Sequence, residues 1–177
     1  MTITVEEQVK NKIRTIKDFP KEGILFRDIT TAIKDKKTLS VIIDCLCEEF
    51  RDLKIDYIAG IESRGFIFGM PMAYKLDCGF VPVRKPNKLP AETISQEYSL
   101  EYGTDKIEIH KDAFGEGDNV LIVDDLLATG GTAEAAAKLV KKSGANLVGM
   151  AFLIELEALN GREKLKDCGR IVSMLKY

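Results

Sequence analysis

The chain has 177 residues, with 26 Lys+Arg against 28 Asp+Glu for a net charge of −2. That length suits one domain over residues 1–177, and the near-neutral balance speaks against general nucleic-acid binding. No apolar run approaches the ~18–20 residues of a membrane span, and the polar, acid-bearing Met1–Lys12 reads as neither signal nor transit peptide. One histidine, His110, makes a His-rich zinc site and a His-centred triad poor readings. Cys45, Cys47, Cys78 and Cys168 form no CxxC and sit among apolar neighbours. They read as reduced core residues of a cytoplasmic protein.

In chain order, Val5 to Ile16 shows apolar residues at 5, 9, 13 and 16, which predicts a helix. Asp18-Phe19-Pro20 and Lys21-Glu22-Gly23 read as a stop and a turn, before a short apolar Ile24-Leu25-Phe26. Leu39–Phe50 is a second amphipathic helix. Tyr57–Ile61 is a buried strand, Glu62–Gly65 a turn, and Phe66–Leu76 a helix that Pro71 distorts or begins. Phe80–Val83 is a strand leading into the basic, proline-bearing loop Arg84–Pro90. Ala91–Leu100 is polar and poorly periodic. Val81–Gly103 therefore reads as a long excursion, with Ile107–Ile109 a strand returning from it. Val120–Val123 is the clearest strand, closed by Asp124-Asp125. A glycine-rich loop, a helix over Ala133–Lys142 and strands at Leu147–Ile154 and Ile171–Met174 complete the chain. Strand alternating with helix predicts an α/β fold with a central parallel sheet flanked by helices, binding ligands beyond the strands' carboxyl ends.

The strongest signal is Val120 to Thr132. An apolar strand delivers Asp124 and Asp125, and Ala128-Thr129-Gly130-Gly131-Thr132 then opens a helix. Glycines let successive N–H groups converge, the helix N-terminus adds partial positive charge, and the threonines add hydroxyls, so the loop suits a phosphate monoester. The carboxylates suit a sugar's paired hydroxyls or metal-bound waters. An apolar strand ending in two acids also occurs in receiver domains and P-loop NTPases. However, no GxxxxGK[ST] is present, and receiver domains lack the glycine–threonine nest.

Val120–Thr132 resembles the phosphoribosyl diphosphate (PRPP) motif of the type I phosphoribosyltransferases, particularly those acting on adenine. The resemblance runs in register through Asp18–Ile29, Gly60–Phe66, Val83–Pro90 and Tyr98–Gly103. It implies the fold of that family, with an N-terminal base-binding hood (about 1–34) and a flexible catalytic loop (about 84–103). The implied reaction is purine salvage: adenine plus PRPP gives AMP plus diphosphate.

Further implications fall on single residues. Ala128, Thr129, Gly130, Gly131 and Thr132 would hold the 5′-phosphate, and Asp124 and Asp125 would face the ribose hydroxyls. Ser63 and Arg64, with the backbone around Glu62, would receive the diphosphate across a cis Glu62–Ser63 peptide. Arg84, Lys85 and Lys88 would add positive charge there, so that Arg64 and Lys85 act in catalysis. Phe26 would stack on the purine while the main chain of Leu25 and Arg27 reads its edge. Glu101 would approach the imidazole side of the base as a catalytic carboxyl. Mg²⁺ would ride on PRPP, with Asp124 and Asp125 in its outer shell and no direct protein ligand.

Members acting on 6-oxopurines usually carry a carboxylate where Ala128 stands, so adenine is the favoured base. Two other readings remain: a 6-oxopurine transferase, and a PRPP- or nucleotide-sensing regulator on the same fold. The excursion from Val81 to Gly103 exceeds the ~12–15 residues of ordinary loops and reads as a flap that excludes water from PRPP. The resemblance also implies a homodimer, with the loop around Arg84 near the interface.

Overall fold

The computed structural model describes residues 3–99 and 103–177. Its backbone falls into two compact units, Met1–Cys45 and Leu46–Tyr177.

In the first unit, helix α1 spans Val5–Lys10 and carries a capping box. The Thr4 hydroxyl accepts from the Glu7 N–H, and the Glu7 carboxylate accepts from the Thr4 N–H. The predicted helix over Val5–Ile16 is therefore cut short. Asn11 caps α1, and Arg14–Lys17 becomes strand β1, paired antiparallel with β2, Leu25–Asp28. Helical spacing misleads here because Thr15 and Ile16 are β-branched and satisfy their backbone against β2 instead. The connection carries a cis Phe19–Pro20 peptide, and Asp18 accepts from the Gly23 N–H at 2.7 Å. A short helix that the sequence did not suggest, α2 (Thr30–Lys34), starts where the Asp28 carboxylate accepts from the N–H and hydroxyl of Thr30. Helix α3, Lys36–Glu48, follows.

The second unit is built on a five-stranded parallel sheet. Its strands are β3 (Tyr57–Ile61), β4 (Gly79–Val83), β7 (Asn119–Leu127), β8 (Asn146–Glu155) and β9 (Arg170–Lys176), in the order β4-β3-β7-β8-β9. Central strands covered on both faces read as unbroken apolar runs, and Val120–Val123 is fully buried. Helix α4, Gly65–Lys75, crosses from β3 to β4 and lies against Ile58 and Phe80. Helix α5, Gly131–Lys142, crosses from β7 to β8, and its alanines share a core with Ala59, Ile122, Met150 and Phe152. Adjacent strand positions face opposite ways, so the helices flank the sheet on its two sides. Pro71 stays inside an unbroken α4, costing it the hydrogen bond to the Ile67 carbonyl.

The polar stretch after Pro90 differs from its expectation. Thr93–Ser99 is a strand, β5, paired residue by residue with β6, Thr104–His110, from Thr93↔His110 to Ser99↔Thr104. Its alternation is hidden because both faces carry polar residues. Ile107 and Ile109 anchor the hairpin beneath α5. Two 3-10 turns, Glu157–Leu159 and Gly161–Leu165, link β8 to β9.

Asp28 is a checkable support of the first unit. Its hydrogen bond from the Thr30 hydroxyl, then the Arg14 guanidinium at 3.0 Å, hold its carboxyl at about 2. That lies below the unfolded value of ~3.9, so the stabilisation is present above about pH 4 and lost as pH falls through about 2. Asp28→Asn is expected to lower stability on the order of 1–2 kcal/mol at pH 7. Thermal unfolding across pH 7 to 2 should show the gap to the parent closing at the acid end.

Candidate active site

The sheet offers one notch. Pairing of β3 with β7 stops at Gly60↔Val123, whereas β7 continues along β8 to Leu127↔Glu155. Asp124 and Asp125 do not close the strand, as the sequence had suggested; they stand on its unpaired edge past β3. There the chain leaves β3 through Glu62-Ser63-Arg64, with a cis Glu62–Ser63 peptide, and enters α4. Gly65 permits the approach: a Cβ there would lie 2.6 Å from the Val123 carbonyl oxygen and 3.2 Å from the Asp124 Cα. Ser63 is exposed, and Arg64 Nε meets Asp125 Oδ2 at 3.0 Å.

Asp125 is buried and Asp124 half-buried, and the Asp125 N–H donates to Asp124 Oδ1 at 2.9 Å. Burial, then the neighbouring Asp125 charge, pushes the Asp124 carboxyl well above the usual carboxylate range. Burial also raises Asp125, against the opposing pull of Arg64. Two carboxyls crowded at one strand end are primed for a ligand that supplies hydroxyls or positive charge.

Ala128–Thr132 follows. Gly130 takes φ +78° at the N-terminus of α5, a conformation that a side chain would resist, and its carbonyl accepts from the Glu134 N–H at 2.9 Å. The first-turn N–H groups of α5 have no acceptor within the helix, an arrangement that with the neighbouring Thr129 and Thr132 could take an anion.

Beyond β4 lies the basic loop. Arg84 bridges backbone to backbone with Glu108, at 2.9 and 2.8 Å. Its guanidinium forks onto the Glu62 carboxylate with both contacts at 3.2 Å, and also donates to the Lys88 carbonyl at 3.2 Å. The Lys85 N–H donates to the same Glu62 carboxylate at 2.8 Å, while its ammonium binds Asp105 and the Tyr98 hydroxyl. Lys88 is exposed. Arg84 holds the Glu62 carboxyl below its usual range, and Lys85 does the same for Asp105. Burial alone would lower the Lys85 ammonium, but Asp105 and Tyr98 raise it.

The structure thus brings Ser63, Arg64, Arg84, Lys85, Lys88, Asp124, Asp125 and Ala128–Thr132 to the carboxyl ends of three adjacent strands. In the other unit, Phe26 is half-buried with Phe19 edge-on at 5.1 Å; Leu25 is exposed, and Arg27 donates to the Thr15 hydroxyl at 2.6 Å. Glu101 lies outside the described residues. Among the described residues no group of three or more His, Cys, Asp or Glu is placed to hold a metal ion. Glu62 as the acceptor for Arg84, and Asp105 with Tyr98 as partners of Lys85, were not legible from the sequence. Their partners are 22, 20 and 13 residues away in the chain.

A five-stranded parallel sheet with a glycine–threonine loop and a carboxylate pair at one strand end fits the phosphoribosyltransferase class, and the phosphoribosyl transferase domain family matches residues 30–174. Over 169 residues the chain is 57% identical to the adenine phosphoribosyltransferase of Gloeobacter violaceus, covering 96% of this chain and 99% of that one. The crystal structure of adenine phosphoribosyltransferase from Thermoanaerobacter pseudethanolicus superposes with a TM-score of 0.94 at 55% identity, over 97% and 99% of the two chains. That of the Saccharomyces cerevisiae enzyme, complexed with an imino-altritol bisphosphate and adenine, gives 0.91 at 44% identity, over 97% and 98%. The chain belongs to the adenine phosphoribosyltransferases and has the type I phosphoribosyltransferase fold.

The raised Asp124 carboxyl has a consequence for stability. A group whose folded value exceeds its unfolded value favours the fold below about pH 4, and that support is lost as pH rises towards the folded value. Asp124→Asn does not titrate, so it is expected to unfold at a higher temperature than the parent, by a margin that grows as pH rises from about 4 towards the folded value. Thermal melts across that pH range check it.

Proposed function

We propose that this chain transfers the phosphoribosyl group of PRPP to adenine in purine salvage, forming AMP and releasing diphosphate. The observation that carries this is the convergence on one notch of a carboxylate pair and an anion cradle, both from the end of β7, with the Glu62–Gly65 turn after β3 and the basic loop after β4. Ala128–Thr132 bind the 5′-phosphate through backbone N–H groups and hydroxyls. Asp124 and Asp125 face the ribose hydroxyls, and the positive charge that develops on the ring as the C1–O bond breaks favours the ionised form of these raised carboxyls. Ser63 and Arg64 hold the diphosphate. Arg84, Lys85 and Lys88 stabilise it as charge accumulates on the leaving oxygen, in competition with Glu62 and Asp105, which already pair two of these cations.

Leu25, Phe26 and Arg27 bind adenine, by stacking and by main-chain contacts. Glu101 approaches its imidazole side and holds or exchanges a proton there. Residues 84–103 close over PRPP and exclude water. The hard carboxylate oxygens of Asp124 and Asp125 suit Mg²⁺ and would help to hold it with PRPP, where it would supply positive charge to the departing diphosphate.

The active form is a homodimer. Ile67, Met70 and Tyr74 recur at helical spacing on α4, with Met70 56% and Tyr74 91% exposed, an apolar stripe that suits burial against a second copy. The cysteines form no disulfide, which supports a place in the reducing cytoplasm.

Absorbance-monitored turnover of PRPP with adenine, hypoxanthine, guanine and xanthine in parallel should show turnover with adenine alone. A 6-oxopurine accepted equally well would overturn the choice of base, and no turnover with any base would favour a sensing role. Glu101→Ala is expected to reduce kcat with adenine by ~10²-fold or more, and an unchanged rate removes Glu101 from the mechanism. Sedimentation of Tyr74→Glu is expected to show monomers where the parent shows dimers.

A further inference from the structure

The wall behind the phosphate cradle is the 3-10 turn that opens at Gly161. A Cβ on Gly130 would lie 2.4 Å from the Gly161 carbonyl oxygen. Conversely, a Cβ on Gly161 would lie 2.1 Å from the Ala128 carbonyl oxygen and 2.9 Å from the Gly130 nitrogen. Each backbone is the surface on which the other rests, with no side chain between them to yield.

Gly161 is itself held from behind. Arg162 forks onto the Glu155 carboxylate through Nε, at 3.0 Å, and Nη2. The same guanidinium donates to the Ile171 carbonyl at 3.0 Å and to the Ser173 hydroxyl at 3.3 Å, so one side chain ties the turn to β8 and β9. Glu155 is 5% exposed, and Arg162 keeps it ionised below its ordinary range. On either side of Gly161, the Leu156 N–H donates to the Leu127 carbonyl at 2.9 Å and Leu165 is fully buried in the core. The turn against which the cradle rests is therefore held by an ion pair between that turn and the end of β8.

We propose that Glu155 and Arg162 are positioning residues that act through Gly161 to fix the Ala128–Thr132 loop, and so set affinity for the 5′-phosphate. This rests on the reading that the loop holds that phosphate. Converging N–H donors lose strength steeply with distance and angle, so a displacement of several tenths of an ångström spoils all of them together. A merely structural pair would lower stability without distinguishing PRPP from adenine.

The test compares Gly161→Ala, Arg162→Lys and Arg162→Ala with the parent. KM is measured separately for PRPP and adenine, ribose 5-phosphate binding by calorimetry, and folding by thermal melts. Gly161→Ala alters the contact with the loop while keeping both partners of the ion pair, so it carries the test even where Arg162→Ala does not fold. The expected result is a KM for PRPP and a Kd for ribose 5-phosphate raised by ~10–100-fold, with KM for adenine within about twofold of the parent. Arg162→Lys keeps the charge but not the fork, and should fall between. A folded Gly161→Ala with unchanged ribose 5-phosphate affinity, or with both KM values raised equally, overturns the proposal. A parent that binds ribose 5-phosphate but transfers nothing to adenine defeats the enzymatic reading alone, and the binding arm still decides the inference.

Discussion

The site depends on one offset in the sheet. Strand β7 keeps β8 as a neighbour to Leu127 but loses β3 after Val123. The edge left open receives Glu62–Gly65, and at that edge two adjacent carboxyls lose much of their water. Burying a carboxyl without a full set of partners is costly, and the protein meets part of that cost with Arg64 on Asp125 and the backbone N–H on Asp124. The remainder is unfavourable to the fold and useful to a ligand, which is the usual relation between a binding site and the stability of its scaffold.

Electrostatics elsewhere follow from the same need. A net charge of −2 conceals a segregation: Val81–Pro90 has three basic residues and no acid, while Ala91–Asp118 has eight acids. The structure folds these stretches onto one another. Asp105 and Glu108, on the returning hairpin strand, engage the Lys85 side chain and the Arg84 backbone, and Glu62 engages both residues. The basic loop is thereby held in place by carboxylates instead of being splayed by mutual repulsion. Arg84 and Lys85 are thus already oriented, each against a half-buried carboxylate.

Much of the second unit was legible because its signals are local. Tyr57–Ile61 is a strand with the predicted bounds, and β4, β7, β8, β9, α4 and α5 each differ from expectation by a few terminal residues. Continuous apolar runs and an alanine-rich amphipathic stretch need no distant partner to be recognised. The failures are segments whose conformation is decided elsewhere. Arg14–Lys17 is a strand because β2 pairs with it, Thr93–Ser99 because β6 does, and Asp124–Leu127 extends β7 because β8 outruns β3. Strand propensity of that kind belongs to the pair and not to the segment.

The amino-acid sequence by itself determined the α/β class, the order of the main elements and the residue types at the strand ends: a glycine–threonine loop, two acids and a cluster of cations. Periodicity, glycine placement and charge are properties of neighbouring residues. Only the tertiary structure decided what each group touches. It set Glu62 against Arg84, Asp105 against Lys85, Arg64 against Asp125, and Gly161, through Arg162 and Glu155, behind Gly130. These pairings join residues far apart in the chain, and hydrogen bonds and close backbone contacts act over only a few ångströms. No local pattern could have encoded them; the packing of separate strands and turns had to bring them within reach.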